Sequence, residues 1–442
     1  LIVSKIKKKH MFSWGLGSLG VAILFNTQTV LLTRYMTDEL GIAAGTAGFL
    51  LLISKLYDAV TDPLMGWITD RTQSRWGRRR PWIFIGGIGA ASSFMYLFNL
   101  PSNLSAINGI FIGLIAYSTF YTMFNVPYLS MPAEMSNIPS ERATLISWRV
   151  RAIGLGQLIG SALAPAMVFW LGGGLGGHAS MAMVLGVLAM ISITLCAIGT
   201  GGARQTVPKE KQKLLTSRSI QLILDNRPFL FLILTKFLQL TATAISLAST
   251  AYFFQYWLGK TFDILGIYFA IGSVVIIIVQ PFWIRMAKRY PKSELYKIAA
   301  IGYALVSFTW YFTDAGSGML DIAIRGVIFG VFSGGLLLMG QAMLPDTIQY
   351  DYQKTGMRRE GIFAGLYTTA EKVSFAIGGA MAGLILQFFG YQSSLSGEVA
   401  VQSDETIFGI FILSAIIPAL LMLLSCVSLN YYRLKESDLA EE

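Results

Sequence analysis

The sequence predicts an all-α membrane protein with twelve transmembrane helices, arranged as two bundles of six. Of its 442 residues, 54% are hydrophobic and only 13% are charged, whereas soluble domains carry about 25% charged residues. The apolar segments are long enough to cross a bilayer as helices. Basic residues are concentrated in alternate connections between those segments. Together these observations exclude an ordinary soluble protein.

Twelve apolar segments follow one another along the chain, and each is predicted to form one span. A helix needs about 20 mainly apolar residues to cross the hydrocarbon core of a bilayer. The predicted spans are residues 11–36, 43–69, 81–100, 105–131, 144–172, 177–200, 227–258, 262–287, 293–313, 318–345, 359–389 and 405–431. An even number of spans places both termini on the same side of the membrane.

The distribution of Lys and Arg gives the chain an orientation. The two tails and the connections after the even-numbered spans, together with the span ends beside them, hold 26 of the 34 Lys and Arg residues. The connections after the odd-numbered spans hold one, Lys260. Cytoplasmic connections of membrane proteins are enriched in basic residues. We therefore predict a multi-pass protein of the plasma (inner) membrane with both termini in the cytoplasm.

The longest hydrophilic connection divides the spans into six and six. Residues 201–226 are predicted to be a cytoplasmic linker between an amino-terminal bundle at 1–200 and a carboxy-terminal bundle at 227–442. The halves share a weak pattern, since spans 2 and 8 both end in a Trp-containing segment followed by a short basic turn. Two six-span halves are typical of major facilitator transporters, which bind their solute near the midplane between the halves.

The charged residues of span 2 are the strongest functional signal. Asp58 and Asp62 are four residues apart and Lys55 precedes Asp58 by three, so all three lie on one helix face. Ionised side chains at this depth are costly and normally mark an ion or substrate path. Two carboxylates on one face suit a cation held by hard oxygen ligands. The alternative is a structural Lys–Asp pair that only joins helices.

Other basic residues also fall within or near the spans. Arg149 and Lys372 lie inside helices that are rich in Gly, Ser and Thr. Arg34, Lys236 and Arg325 are within reach of helix ends, where a long side chain can extend to the membrane interface. We therefore expect functional roles for Arg149 and Lys372, and interfacial positions for the other three.

Five stretches carry a resemblance to a known family. They are Tyr57-Asp58-Ala-Val-Thr-Asp62-Pro63, Ser74-Arg75-Trp76-Gly77-Arg78, Asn125-Val-Pro127-Tyr128, Glu141-Arg142-Ala-Thr and Asp346-Thr-Ile-Gln-Tyr350. With these motifs the chain resembles, over nearly its whole length, the glycoside–pentoside–hexuronide:cation symporters, the melibiose-permease family of the major facilitator superfamily. The resemblance implies a major facilitator fold and the symport of a solute with Na⁺, Li⁺ or H⁺.

The resemblance also implies a cation site. The family binds its cation with two carboxylates of helix 2 and a threonine of helix 4, which match Asp58, Asp62 and Thr122. A further carboxylate of helix 4 is replaced here by Asn125. Its amide oxygen can still bind Na⁺, but the site loses one negative charge. Both Na⁺ and H⁺ therefore stay open as the coupling ion, with Li⁺ as a possible substitute, and a proton would be carried by a buried carboxylate.

The substrate positions depart further from the galactoside transporters of the family. Their sugar-binding aspartate and tryptophan fall at Ala22 and Leu129. The matching positions that are kept, with two polar candidates from span 1, are Tyr121, Arg149, Thr368, Lys372, Asn26 and Gln28. Because the pocket loses an acid and an aromatic and keeps two bases, we expect a glycoside-like, anionic solute. The resemblance leaves a lysophospholipid or another amphipathic solute, carried by a sodium-dependent transporter of the same fold, as the alternative.

Two charged residues are candidates for coupling. Lys55 is expected to exchange partners when the cation binds. Glu371 precedes Lys372, and adjacent residues of a helix point about 100° apart. We therefore expect Glu371 either to pair with Arg149, Arg151 or Lys55, or to be a second proton site.

The basic connection after span 2 is a candidate gate. It contains Arg75 and Arg78, and we expect it to latch helix ends together by pairing with acids such as Glu134 or Glu141. Plain topology signals would also explain most of these basic residues.

Other classes of protein fit the sequence less well. The spacing Asp58-x-x-x-Asp62 also resembles the motif of Mg²⁺-dependent intramembrane prenyltransferases, but residues 201–226 lack the second aspartate-rich loop that those enzymes need. The two His and two Cys residues show no metal or disulfide pattern. We therefore expect a monomeric transporter, not an enzyme, with no cofactor beyond the coupling ion. Its expected partners are a small-molecule substrate and membrane lipids, and not nucleic acid.

Overall fold

The computed structural model of the chain describes residues 6–101, 103–135, 139–202, 226–355, 360–393, 400–432 and 434, which form helices joined by short connections. Twelve helical rods follow one another. They are α1 (Lys8–Arg34), α2 (Ala44–Arg71), α3 (Arg80–Leu97), α4 (Ala106–Met135), α5 (Pro139–Gln157 and Ala164–Trp170), α6 (Gly174–Gly199), α7 (Arg227–Tyr252), α8 (Phe262–Ala287), α9 (Lys292–Thr309), α10 (Met319–Thr355), α11 (Glu360–Phe388) and α12 (Asp404–Phe411 and Ile417–Leu429).

Several rods contain wider, π-helical turns. Tyr35–Glu39 continues α1 and Phe253–Trp257 continues α7, while Leu158–Leu163 joins the two parts of α5 and Ile412–Ile416 joins those of α12. Such insertions are uncommon and often occur at functional sites. The apolar segments of the sequence predict the rods and not these turns, because the turns depend on packing between helices.

The described helices form two compact units. The first contains α1 to α6 together with residues 261–266 at the start of α8, and the second contains α7, the rest of α8 and α9 to α12. Most of the predicted linker, 203–225, lies outside the described residues.

In the first unit, glycines let helix backbones approach one another closely. At Gly86 of α3, a Cβ atom would lie 2.5 Å from the backbone nitrogen of Phe124 in α4. At Gly156 and Gly160 of α5, it would lie 2.8 Å from backbone oxygens of α1. Small residues at helix contacts are the usual means of close packing within membranes. These contacts hold α1, α3, α4 and α5 in fixed register around the residues discussed below.

In the second unit, α7 packs against both α11 and α12. A Cβ atom at Gly378 of α11 would lie 2.5 Å from that of Ala244 in α7. Thr235 of α7 donates a hydrogen bond to Ser428 of α12 at 3.1 Å. Because α7 packs against these two neighbours, its side chains Lys236 and Gln239 are buried.

Nine of the described rods are long and apolar enough to span a membrane. The three that fall outside this group are α2, α3 and α9. In α2 the cause is plain, since Lys55, Asp58 and Asp62 interrupt its apolar sequence. The chain is therefore a multi-pass membrane protein, and the charges that interrupt α2 are those singled out by the sequence.

Candidate functional site

Helix α2 brings Lys55 and Asp58 into direct contact. The Lys55 Nζ atom lies 3.3 Å from Asp58 Oδ2 and 5.9 Å from the ring centroid of Phe25 in α1. Asp58 is only 3% exposed. Its second oxygen, Oδ1, is buried and has no hydrogen-bond partner among the described residues. A buried carboxylate oxygen normally has a partner, so this atom is suited to bind a ligand.

Asp62 lies one turn further along α2 and contacts α4. The Thr122 hydroxyl donates a hydrogen bond to Asp62 Oδ1 at 2.8 Å. The structure thus brings together three residues of the predicted cation site, Asp58, Asp62 and Thr122, on two adjacent helices. Asn125 is half-buried on α4, one turn after Thr122.

Two further contacts fix the register of α2 against α4. The Tyr57 hydroxyl lies 3.0 Å from the Thr119 hydroxyl. The Ser118 hydroxyl donates to the backbone oxygen of Ser54 at 3.3 Å. With the Thr122–Asp62 bond, these contacts span about two helical turns. The carboxylates are therefore held by a rigid pair of helices.

The charges of this cluster match a small monovalent cation. Asp58 and Asp62 contribute two negative charges and Lys55 one positive charge, which leaves a sum of −1. One bound Na⁺, Li⁺ or H⁺ would neutralise that sum. Carboxylate and hydroxyl oxygens are hard ligands, which suit such ions better than they suit soft transition metals. The Lys55–Asp58 pair of the structural alternative is present, and Asp62 contributes a second carboxylate one turn further along α2.

Two stacked tyrosines of α4, Tyr117 and Tyr121, interact with Asp58. Their ring centroids are 5.8 Å apart, and both hydroxyls interact electrostatically with Asp58. Tyr121 also interacts electrostatically with Arg149 of α5. Arg149 Nε is buried and has no hydrogen-bond partner in the part of the chain that the structure describes. Tyr121 thus interacts both with a carboxylate of the predicted cation site and with a positively charged donor.

The two substrate-binding candidates of span 1, Asn26 and Gln28, point in different directions from α1. The Asn26 amide donates to the backbone oxygen of Ala22, in its own helix, at 2.7 Å. Gln28 is 8% exposed. The two residues are separated by two positions and therefore point about 200° apart, so they cannot both face one pocket. Ala22 itself lies at the contact with α5, where a Cβ atom at Gly156 would come within 2.6 Å of the Ala22 Cβ.

Two arginines of the basic connection after α2, which are not among the predicted gating residues, form hydrogen bonds to helices. Arg79 Nη1 donates to Thr69 Oγ1 at 2.6 Å, and Arg80 Nε donates to the backbone oxygen of Ala197 in α6 at 2.7 Å. The predicted gating residues Arg75 and Arg78 are exposed and half-buried, respectively. The side chains of their expected partners, Glu134 and Glu141, lie outside the described residues.

The remaining candidates, Thr368, Glu371 and Lys372, lie on α11 of the second unit. Thr368 is exposed, whereas Glu371 and Lys372 are half-buried. Glu371 interacts electrostatically with Lys236 of α7, within the same unit. The prediction that Lys236 lies at the membrane interface is wrong, since its side chain is only 2% exposed. Its distance in sequence from the helix end does not reveal that it faces two neighbouring helices.

Tyr117 and Lys236 interact with predicted site residues and are not themselves predicted as such. Tyr117 lies four residues before Tyr121, so the two aromatic rings share a face of α4. That spacing is the signal that could have identified it. Lys236 and Gln239 are three residues apart on α7, which is the corresponding signal in the second unit.

A family model for MFS/sugar transport proteins matches residues 13–436 of the chain. Among curated proteins, the "Inner membrane symporter YicJ" of Escherichia coli (strain K12) is 26% identical over 442 residues, which cover 98% of this chain and 93% of that protein. The "Isoprimeverose transporter" of Lactiplantibacillus pentosus is 26% identical over 444 residues, which cover 97% and 89%. The E. coli protein named "Putative sulfoquinovose importer" is 26% identical over 447 residues, which cover 99% and 93%.

Solved structures have the same fold. The crystal structure of a D-xylose–proton symporter superposes with a TM-score of 0.68 at 15% identity, covering 96% of this chain and 97% of that one. A bacterial homologue of the human lysosomal transporter Spinster superposes with a TM-score of 0.71 at 11% identity, covering 98% of both chains. At such low identities these structures show the fold alone, which is that of the major facilitator transporters.

Proposed function

We propose that this chain, which belongs to the MFS/sugar transport protein family and is a transporter rather than an enzyme, carries an anionic glycoside together with a monovalent cation. Membership of the family removes the prenyltransferase alternative. The observation that carries the proposal is that Tyr121 of the first unit interacts both with Asp58 of the carboxylate cluster and with Arg149. The buried Nε atom of Arg149 has no hydrogen-bond partner among the described residues.

For the cation, we propose binding by Asp58, Asp62 and Thr122, with Asn125 as a neutral fourth ligand. The buried oxygen Asp58 Oδ1 supports this role, because a bound ion would supply the partner that it lacks among the described residues. The net charge of −1 on Lys55, Asp58 and Asp62 supports a single Na⁺ or H⁺, with Li⁺ as a substitute.

For the solute, we propose that its anionic group binds Arg149, with Tyr121 beside it, and that Lys372 and Thr368 of α11 are further solute-binding residues within the second unit. A guanidinium can donate two parallel hydrogen bonds to a carboxylate or a sulfonate. One relative is named for sulfoquinovose, a sulfonated sugar, which supports an acidic glycoside. The absence of the galactoside-type acid and tryptophan at Ala22 and Leu129 argues against a neutral galactoside.

For the cellular location, we propose the inner membrane, with both termini in the cytoplasm. The basic residues of the tails and of alternate connections support this orientation. We further propose that the chain acts as a monomer surrounded by lipid, and that its two halves expose the site alternately to the two sides.

Counterflow in proteoliposomes tests the proposal. Vesicles loaded with an unlabelled solute are diluted into a trace of the same labelled solute, in Na⁺-containing and Na⁺-free buffers at two pH values. The solutes are a glucuronide, a sulfonated glucoside, a neutral galactoside and a lysophosphatidylcholine. We expect transient accumulation of the acidic glycosides only. Exchange of the neutral galactoside alone would contradict the anionic solute, and exchange of the lysolipid alone would establish the alternative.

A further inference from the structure

A second cluster of ionisable side chains lies inside the second unit, apart from the carboxylates of α2. Lys236 is only 2% exposed, and it lies nine residues, or about 13 Å, after the start of α7. Its Nζ atom donates a hydrogen bond to Gln239 Oε1 at 2.9 Å and lies 5.7 Å from the ring centroid of Tyr367 in α11. A buried ammonium group needs compensation by neighbouring groups, so these contacts are energetically important.

The compensating charge is that of Glu371. This residue lies four positions after Tyr367, on the same face of α11. It interacts electrostatically with both Lys236 and Tyr367. The carboxylate of α11 thus offsets part of the charge of the buried ammonium of α7.

Helix α10 completes the surroundings of the lysine. At Gly340, a Cβ atom would lie 3.1 Å from Lys236 Nζ and 3.4 Å from Gln239 Oε1. The hydroxyl of Tyr367 donates to the backbone oxygen of Gly340 at 3.3 Å. Glycine therefore provides the space in which α7, α10 and α11 meet at the ammonium group.

We propose that Lys236 is a positioning residue, which holds Glu371 within the second unit and keeps the electrostatic field around Lys372 positive. Lys236 and Lys372 contribute two positive charges and Glu371 one negative charge, so the three residues sum to +1. Without Lys236 the sum is zero, and an anionic solute loses its attraction to this part of the protein. The inference rests on the proposed function in that it assumes an anionic solute that meets Lys372.

A double-mutant cycle tests the proposal, with uptake of the acidic and neutral glycosides measured in proteoliposomes. We expect Lys236→Met to raise the KM for the acidic glycoside about tenfold, with a smaller change in kcat and in the KM for a neutral glycoside. Lys236→Met with Glu371→Gln restores the sum of +1, so its KM is expected to return to within about threefold of that of the wild type. Lys236→Arg is expected to resemble the wild type.

The surface pair Lys297 and Glu294, with 2.8 Å between Nζ and Oε1, is the matched control in the same unit. The double variant Lys297→Met with Glu294→Gln is expected to leave the KM for the acidic glycoside and the KM for the neutral glycoside unchanged. A double variant no better than Lys236→Met, or an equal rise in KM for acidic and neutral glycosides, overturns the proposal. If the Lys236→Met variant does not fold, the Glu371→Gln variant tests the proposal by itself. Removing the negative charge of Glu371 is expected to lower the KM for the acidic solute. A raised KM for that solute would overturn the proposal.

Failure of this inference can be distinguished from failure of the proposed function. If the wild type transports no glycoside, the proposed function is wrong, and the Lys236–Glu371 pair is then tested by melting temperature in detergent. Coupling between the two substitutions supports the pair, and additive effects overturn it.

Discussion

Replacing Asp62 with Asn is expected to abolish cation-driven accumulation of the solute and to spare its energy-independent exchange. An amide has the shape of the carboxylate, and its oxygen can still accept the hydrogen bond from Thr122. The contact between α2 and α4 is therefore kept, whereas the charge on Lys55, Asp58 and Asp62 rises from −1 to zero. A cluster without net negative charge no longer attracts a cation electrostatically. Accumulation and counterflow are measured on the same proteoliposome preparation.

Asp314→Asn is the control for this substitution, since Asp314 is exposed in the connection between α9 and α10. It is expected to change neither accumulation nor exchange. Full cation-driven accumulation by the Asp62→Asn variant would remove Asp62 from the coupling mechanism.

Replacing Arg149 with Lys is expected to weaken binding of the acidic solute even though the charge is unchanged. Lysine lacks the planar fork that donates two parallel hydrogen bonds. Loss of hydrogen bonds to a charged group costs roughly 1.5–3 kcal/mol of binding free energy. Replacement by Gln removes the charge as well and is expected to cost more. Affinity for the acidic solute is measured by titration calorimetry on each purified variant, together with its melting temperature.

Arg151 provides the matched control, because it lies two residues away, is exposed, and stacks over the ring of Trp148 at 5.4 Å. Arg151→Gln is expected to leave solute affinity unchanged. Unchanged affinity with a lower melting temperature in both Arg149 variants would mean that Arg149 only braces the bundle. A neutral glycoside would then become the favoured solute.

The helices and the charged face of α2 follow from patterns within single segments. Long apolar runs predict spans, and residues three or four apart on a helix share a face, so Lys55, Asp58 and Asp62 are predicted to lie together. The contact between Asp62 and Thr122 was available only through the family resemblance. The spacing of residues within one helix does not show which neighbouring helix each of its faces contacts.

Side chains whose surroundings depend on several helices are predicted less well. Lys236 is close to a helix end in sequence, yet its orientation toward α10 and α11 buries it. Asn26 is polar and near the expected pocket, yet its amide is bonded to the backbone of α1. The π-helical turns likewise depend on tertiary packing, which a sequence pattern does not contain.

The central claim is that one protein binds a cation and an acidic glycoside with mutual dependence, and calorimetric titration tests it most directly. The solute is titrated into the purified protein with and without Na⁺ at fixed pH, and the cation is titrated with and without the solute; a parallel series varies pH without Na⁺. Thermodynamic linkage requires the two ligands to strengthen one another by the same factor. We predict equal factors greater than one for Na⁺ or for H⁺. Solute affinity that is independent of both cations would contradict symport.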